Sequence, residues 1–185
     1  RLKELGAEAA AQTAKERLDA LASRNWTAQR AERLKNVDAK RGGGPLDPEW
    51  AMSRIAALVP DDVIIVDEGI TSTGTLLNYY PFRDRNAYFG NVSGGIGWAI
   101  AAAVGIQIAQ PERRVVAIVG DGSAQYSIQA LWTAAHLKQP VIFVIANNRG
   151  YRVLKDRLKL FHDNDRPIGM DFNDPPIDFA AIARG

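Results

Sequence analysis

The stretch whose reading decides the fold runs from residue 115 to residue 151: VVAIVGDGSAQYSIQALWTAAHLKQPVIFVIANNRGY. Two apolar runs each stop at a small polar cluster, Gly120-Asp121-Gly122 after the first and Asn147-Asn148 after the second, with a helical-looking segment between them. Continuous apolar strands that alternate with a helix predict a parallel pair buried on both faces and joined by a right-handed crossover.

Outward from this unit the alternation continues. Upstream, a helix PEWAMSRIAALV leads to a strand DVIIVDEG, a polar turn TSTGT leads to a short helix, and AYFGN reads as extended. The small residues of GGIGWAIAAAVGIQIA suit a buried helix that a sheet approaches closely, and RRVVAIVG follows as a strand. The predicted fold class is α/β: an open doubly wound parallel sheet with helices on both faces.

The chain has 185 residues, 46% of them hydrophobic, which suffices for one sizeable core, and a formal net charge of +2. The small excess of Lys and Arg is spread along the chain with no basic run, so no nucleic-acid partner is expected. With no cysteine there is no disulfide frame and no thiolate metal site. No export signal or apolar span of about twenty residues is evident, so no membrane is expected and a cytoplasmic location is the default. The chain starts without Met in an Ala-rich helical run, with a weak apolar stripe at Leu2, Leu5, Leu18 and Leu21, and stops at FAAIARG. It reads as part of a longer protein. Residues 1–44 are expected to be a helical linker or the tail of a preceding domain. Residues 45–185 are expected to be the folded domain, cut short at its C-terminal end, with Asp47 as N-cap and Pro48 at the first helical position.

In such sheets ligands bind beyond the carboxyl ends of the strands, where Asp121 and Asn148 fall. A carboxylate and an amide oxygen are hard donors, suited to Mg²⁺ or Ca²⁺ and poor for Zn²⁺. Mg²⁺ usually shares substrate phosphates, so the pair invites a diphosphate as co-ligand. Gly120 and Gly122 allow backbone N–H groups to approach phosphate oxygens, and Ser123 adds a hydroxyl. Asp-Gly and Asn-Asn after strands are also ordinary turn chemistry, Thr71 and Ser72 also suit a helix cap, and Gly94 and Ile96 also suit a helix start and a core position.

GDG, then 24 residues, then NN, set on strand, helix and strand, resembles the signature of the thiamine diphosphate-dependent enzymes. Within that superfamily the stretch, with SGGIGWAI and EGITST upstream, is most similar to the benzoylformate decarboxylases, from about Pro45 to the end. The resemblance implies the thiamine diphosphate-binding fold, the last of three α/β domains, with thiamine diphosphate and Mg²⁺ as cofactors. The implied activity is non-oxidative decarboxylation of a 2-oxo acid to an aldehyde and CO₂. By position, it implies that the side chains of Asp121 and Asn148 and the carbonyl of Gly150 bind Mg²⁺. Thr71, Ser72, Ser123 and Tyr151 would lie along the diphosphate. Gly94 would offer its carbonyl to the aminopyrimidine, and Ile96 would be the wedge that bends the cofactor for catalysis. Leu154 keeps an apolar contact with substrate.

The family's essential glutamate comes from the first domain of a neighbouring subunit. The resemblance therefore implies that this chain alone does not catalyse and that the whole protein is a homodimer or homotetramer. Arg149 stands where the family has glycine, Arg157 where an aromatic would wall the substrate, and Gly90, beside Phe89, replaces another aromatic. Arg152, Lys155 and Arg157 are either a cationic rim or a solvated helix face. His136 and His162, the two histidines, suit packing and the surface respectively. Two alternatives stand beside the decarboxylase: a carboligase resembling acetolactate synthase, with or without a flavin in a middle domain, and a diphosphate-binding module without chemistry.

Overall fold

The computed structural model describes residues 6–185, so Leu2 and Leu5 of the N-terminal stripe lie outside the described residues. Strands β1 (Ile64–Glu68), β2 (Tyr88–Gly90), β3 (Val115–Gly120) and β4 (Ile142–Ala146) form a sheet in the order β2-β1-β3-β4, with every pairing parallel. From β1 the chain moves outward to β2, returns past β1 to β3, and continues to β4 on the other side. The winding therefore reverses between β1 and β3, and a crevice opens at their carboxyl ends.

Both faces are covered, as the unbroken apolar strands require. On one face pack α2 (Trp26–Val37), α3 (Pro48–Leu58) and α4 (Thr73–Tyr79), enclosing Val37, Met52, Leu76 and Tyr79 against Ile65, Val116 and Ile118. On the other, α5 (Ala99–Ala109) lays Ala99, Ile100 and Ala103 onto Ile64, Val66, Val115, Ala117 and Val119. Two short helices, α6 (Asp121–Ser127) and α7 (Ala130–His136), complete that side. The small residues of α5 allow the close helix–sheet approach that the sequence suggested.

Local chemistry sets the helix starts. Asp47 caps α3, accepting from the N–H groups of Glu49 (2.8 Å) and Trp50 (3.1 Å), with Pro48 at the first position. Asn25 caps α2 by accepting from Ala28 N–H at 2.9 Å. The remaining helices are α1 (Ala7–Leu21), α8 (Arg152–His162) and α9 (Phe179–Arg184).

Three details differ from the sequence pattern. The helical segment between the two motif strands is not a single helix: it starts at Asp121 and breaks at Ile128-Gln129, where tighter bonds run from Leu131 N–H to Ile128 O and from Trp132 N–H to Gln129 O. The segment GGIG, expected at the head of a helix, is a turn, and α5 begins at Ala99. Part of the segment before Gly44 joins the core: Val37 is buried, the Trp26 indole N–H donates to Leu77 O (2.8 Å), and Arg30 Nε donates to Tyr79 O (2.7 Å). Helix α1 makes no such contribution, and Leu18 and Leu21 on it stay exposed.

Candidate functional site

The crevice between β1 and β3 collects most of the residues singled out in the sequence. A narrow cleft of about 50 Å³ is lined by Thr71, Ile96, Gly120, Asp121, Gly122, Ser123, Asn148, Gly150 and Tyr151. These come from the tips of β1, β3 and β4, from the turn before α5 and from the start of α8. Segments separated by more than fifty residues in sequence thus meet in one place, as the reversal of winding dictates.

Asp121 is the first residue of α6 and is 2% exposed. It is as buried as the strands, although sequence placed it at a tip outside the core. Its Oδ1 accepts from Gly122 N–H (2.9 Å) and its Oδ2 from Gly150 N–H (3.0 Å). Among the described residues no Lys, Arg or His forms an ion pair with it. A buried carboxylate held only by amides keeps uncompensated charge, so a divalent cation suits its free lone pairs. No cluster of three or more His, Cys, Asp or Glu side chains suited to a metal occurs among the described residues. A cation here would thus depend on one carboxylate, the Asn148 amide, a backbone carbonyl and oxygens from a ligand, the sharing that Mg²⁺ favours.

The loop carrying Asn148 and Gly150 is tied down twice. Asp121 holds the Gly150 N–H, and an antiparallel bridge pairs Gly150 with Asp171, with Tyr151 N–H donating to Met170 O (3.0 Å) and Phe172 N–H to Arg149 O (2.9 Å). Arg149 adopts φ 60°, a left-handed conformation in which glycine is the easy residue, so the departure from the family's glycine carries backbone strain. The Gly150 carbonyl accepts from Arg152 N–H (2.9 Å), which leaves it a second lone pair. Gly122 is needed for close approach: a Cβ there would lie 2.5 Å from Cε1 of Tyr151. The Tyr151 ring meets Phe172 edge-on at 4.8 Å, and burial, with the neighbouring Tyr126 hydroxyl and then the Asp121 charge, pushes its phenol up.

Thr71 is exposed at the cleft, and Ser72 occupies the N-cap position of α4 without a side-chain cap bond, so the helix-cap alternative does not describe it. Both instead face a second, larger cavity of about 590 Å³ that also reaches Asn148 and Arg152. Gly94 lies outside the cleft in an exposed turn at φ 75°, closed by the Asn91 side chain, which accepts from Gly94 N–H (2.9 Å). Leu154 is 48% exposed on α8 and lines neither cavity. Arg152 pairs with Asp156 at 3.0 Å and Lys155 with Asp171, while the Arg157 guanidinium lies over Phe161. Each of these cations thus has a partner within the chain, and Arg152 also lines both cavities. His136 stacks on Trp132 at 4.8 Å, and His162 is exposed at the end of α8.

Sequence reasoning missed two buried acids at the tip of β1. Asp67 accepts from Gly69 N–H (2.8 Å), Thr73 Oγ1 (3.1 Å) and the Tyr88 hydroxyl (2.8 Å), which ties down the loop carrying Thr71 and Ser72. Burial, and then Asp67, push the Tyr88 phenol well up. Glu68 accepts from the N–H groups of Gly97 and Ala99. It also missed Ile70, a β-branched residue at φ 52° on the cleft wall.

Fold and chemistry define the class: an α/β domain with a polar cleft where its winding reverses. The chain belongs to the thiamine pyrophosphate enzymes, with residues 69–185 matching their C-terminal TPP binding domain. It is 43% identical over 143 residues to the benzoylformate decarboxylase of Pseudomonas aeruginosa PAO1, covering 77% of this chain and 26% of that protein. A Mycobacterium tuberculosis H37Rv relative that carries an acetolactate synthase large-subunit name is 33% identical over 147 residues, covering 77% of this chain and 28% of that protein. Among solved structures, the thiamine diphosphate-dependent 4-hydroxybenzoylformate decarboxylase of Rhodococcus jostii RHA1 superposes with a TM-score of 0.73 at 38% identity, covering 78% of this chain and 27% of that one. The chain thus spans about a quarter of the length of these relatives. No helix among the described residues is long and apolar enough to cross a membrane.

Proposed function

We propose that this chain is the cofactor-binding domain of a longer thiamine diphosphate- and Mg²⁺-dependent decarboxylase, which converts a benzoylformate-like 2-oxo acid to an aldehyde and CO₂. The observation that carries this is the convergence of Asp121, Asn148, Gly150, Ser123 and Thr71 at the switch between β1 and β3, around a buried carboxylate without a protein counter-charge. The 43% identity to a benzoylformate decarboxylase supports the choice of substrate class.

When bound, thiamine diphosphate supplies a nucleophilic thiazolium carbon and an electron sink for the pair released as CO₂ departs. This chain's residues do the rest of the positioning. Asp121, Asn148 and the Gly150 carbonyl would hold Mg²⁺, and Ser123, Thr71, Ser72 and Tyr151 would offer hydroxyls to the diphosphate. Gly120 and Gly122 keep the floor low enough for close approach. Ile96, on the cleft wall, would be the aliphatic side chain that shapes the bound cofactor, and Gly94, in the same turn, would offer its carbonyl to the aminopyrimidine. The domains that precede this one, and a neighbouring subunit of a homodimer or homotetramer, supply the rest of the active site, so the isolated chain is expected to be inactive.

The test uses the full-length parent protein with thiamine diphosphate and Mg²⁺, offered benzoylformate, pyruvate and longer 2-oxo acids, with products identified by mass. CO₂ with a free aldehyde from benzoylformate is the expected result. A ligated 2-hydroxy ketone or acetohydroxy acid would instead establish a carboligase, a reading favoured by the similarity to the acetolactate synthase-named relative.

A further inference from the structure

Glu68 has a place in the fold that its burial and partners define. It ends β1 at 1% exposure, and among the described residues no cation pairs with it. Its carboxylate reaches across to the turn before α5, where Oε1 accepts from Gly97 N–H and Oε2 from Ala99 N–H (2.9 Å). Helix α5 has Trp98 at its N-cap position and no side-chain cap of its own, so this acid from another element meets its first orphan donors. Gly97 sits at φ 98° with no room for a side chain, since a Cβ would lie 2.4 Å from Cβ of Tyr126. The turn is thus gripped between Glu68 and Tyr126. Its far half is closed separately by Asn91, whose amide donates to Gly95 O (2.9 Å) and whose carbonyl accepts from Gly94 N–H. Ile96, between the two grips, is the turn's side chain on the cleft wall.

We propose that Glu68 is a positioning residue: by holding the N–H groups of Gly97 and Ala99 it fixes where Ile96 stands on the cleft wall against the cofactor. It therefore governs turnover rather than cofactor retention. This rests on the cofactor reading above. On that reading the cation is held by Asp121, Asn148 and Gly150, to which the Glu68 carboxylate makes no hydrogen bond among the described residues, so the two effects separate. A misplacement of about 1 Å at a reacting centre is enough to lower a rate about a hundredfold.

The test compares the full-length parent protein with Glu68→Gln, in which one acceptor oxygen becomes a donor that faces an N–H, and with Gly97→Ala, which displaces the same turn from the Tyr126 side. Three readouts are taken: kcat and KM for benzoylformate at saturating cofactor, thiamine diphosphate affinity with Mg²⁺, and amide hydrogen exchange at residues 94–99. For both variants the expected result is about a ten- to hundredfold loss in kcat with KM and cofactor affinity within about threefold, and faster exchange confined to the turn. Faster exchange with unchanged kcat would overturn the proposal, since Glu68 would then be a helix cap only. Lost cofactor affinity matching the lost activity would overturn it as well. If Glu68→Gln does not fold, Gly97→Ala decides alone by the same criteria. A wild-type protein that binds no thiamine diphosphate would bring down the cofactor reading itself, and this proposal with it.

Discussion

Asp121→Asn separates the two demands on the buried acid of the cleft. The change is nearly isosteric. Its amide oxygen still accepts one of the N–H groups of Gly122 and Gly150, 2.9 and 3.0 Å from the present carboxylate, while its NH₂ faces the other. One buried donor left unsatisfied costs about 1–3 kcal/mol. Removing a buried charge that has no protein counter-charge offsets part of this, so the cofactor-free protein is expected to change stability by no more than about 2 kcal/mol. Cofactor binding should respond differently, because on the proposed reading the carboxylate that would bind the cation is gone. Loss of even an outer partner weakens metal affinity about ten- to hundredfold, and loss of the anionic ligand itself is at least as severe. With thiamine diphosphate and Mg²⁺ at about a hundred times the wild-type Kd, binding stabilises the wild type by about 2.7 kcal/mol. A hundredfold weaker variant under the same conditions retains only about 0.4 kcal/mol. The assay is denaturant unfolding of the full-length protein with and without cofactor. Cofactor stabilisation that persists undiminished in Asp121→Asn would refute the metal assignment. A cofactor-free loss well above about 4 kcal/mol would show that Asp121 is chiefly a structural acid.

Three further outcomes are expected. Gly150→Ala places a Cβ 2.4 Å from the Met170 carbonyl oxygen, so backbone must move; a stability loss of about 1–3 kcal/mol with weakened cofactor affinity should appear in urea unfolding, and an unshifted midpoint would contradict it. Ile96→Ala should lower kcat about tenfold or more while cofactor affinity stays within about threefold, and equal losses in both would contradict the wall role. The Tyr79 phenol is pushed up to about 12 by burial and then by its hydrogen bond to Glu49 (2.6 Å), so its contribution is complete below the unfolded value near 10 and is lost as pH rises towards 12. The melting temperature should therefore fall across that window, less steeply in Tyr79→Phe; an identical slope in the variant would remove Tyr79 as a cause.

Most of the sheet was legible because its strands are unbroken β-branched runs bounded by Gly, Asp or Asn. The break at Ile128-Gln129 was not, since the sequence there keeps good helix formers and only the i→i+3 bonds reveal the interruption. The docking of α2 was equally hidden. Its anchors are Val37, the half-buried Leu34 and two side chains that bond backbone carbonyls of α4, too few apolar positions to announce that arrangement. In the site, Asp121, Asn148 and their glycines could be found because chemistry and strand position coincide in short motifs. Asp67 and Glu68 could not, because they read as the end of the strand DVIIVDEG and their partners lie up to 31 residues away.

The three buried acids at this edge show how burial alone fails to distinguish function. Asp67, Glu68 and Asp121 are each no more than 2% exposed, and among the described residues none is ion-paired. What separates them is the company each carboxylate keeps. Asp67 collects three donors from its own loop and from β2, and Glu68 collects two amides from the turn ahead of α5; neither lines the cleft. Asp121 has two amides, and it alone of the three forms part of the cleft wall. Of these three acids, only Asp121 could offer a carboxylate to a cation at that wall. On the proposed reading the first two acids hold the loops that carry Thr71, Ser72 and Ile96, and the third would bind the cation. Adjacent acids on one sheet edge thereby divide the work, and neutralising Glu68 and Asp121 in turn should slow the reaction for different reasons: a displaced wall in the first case, a lost cation in the second.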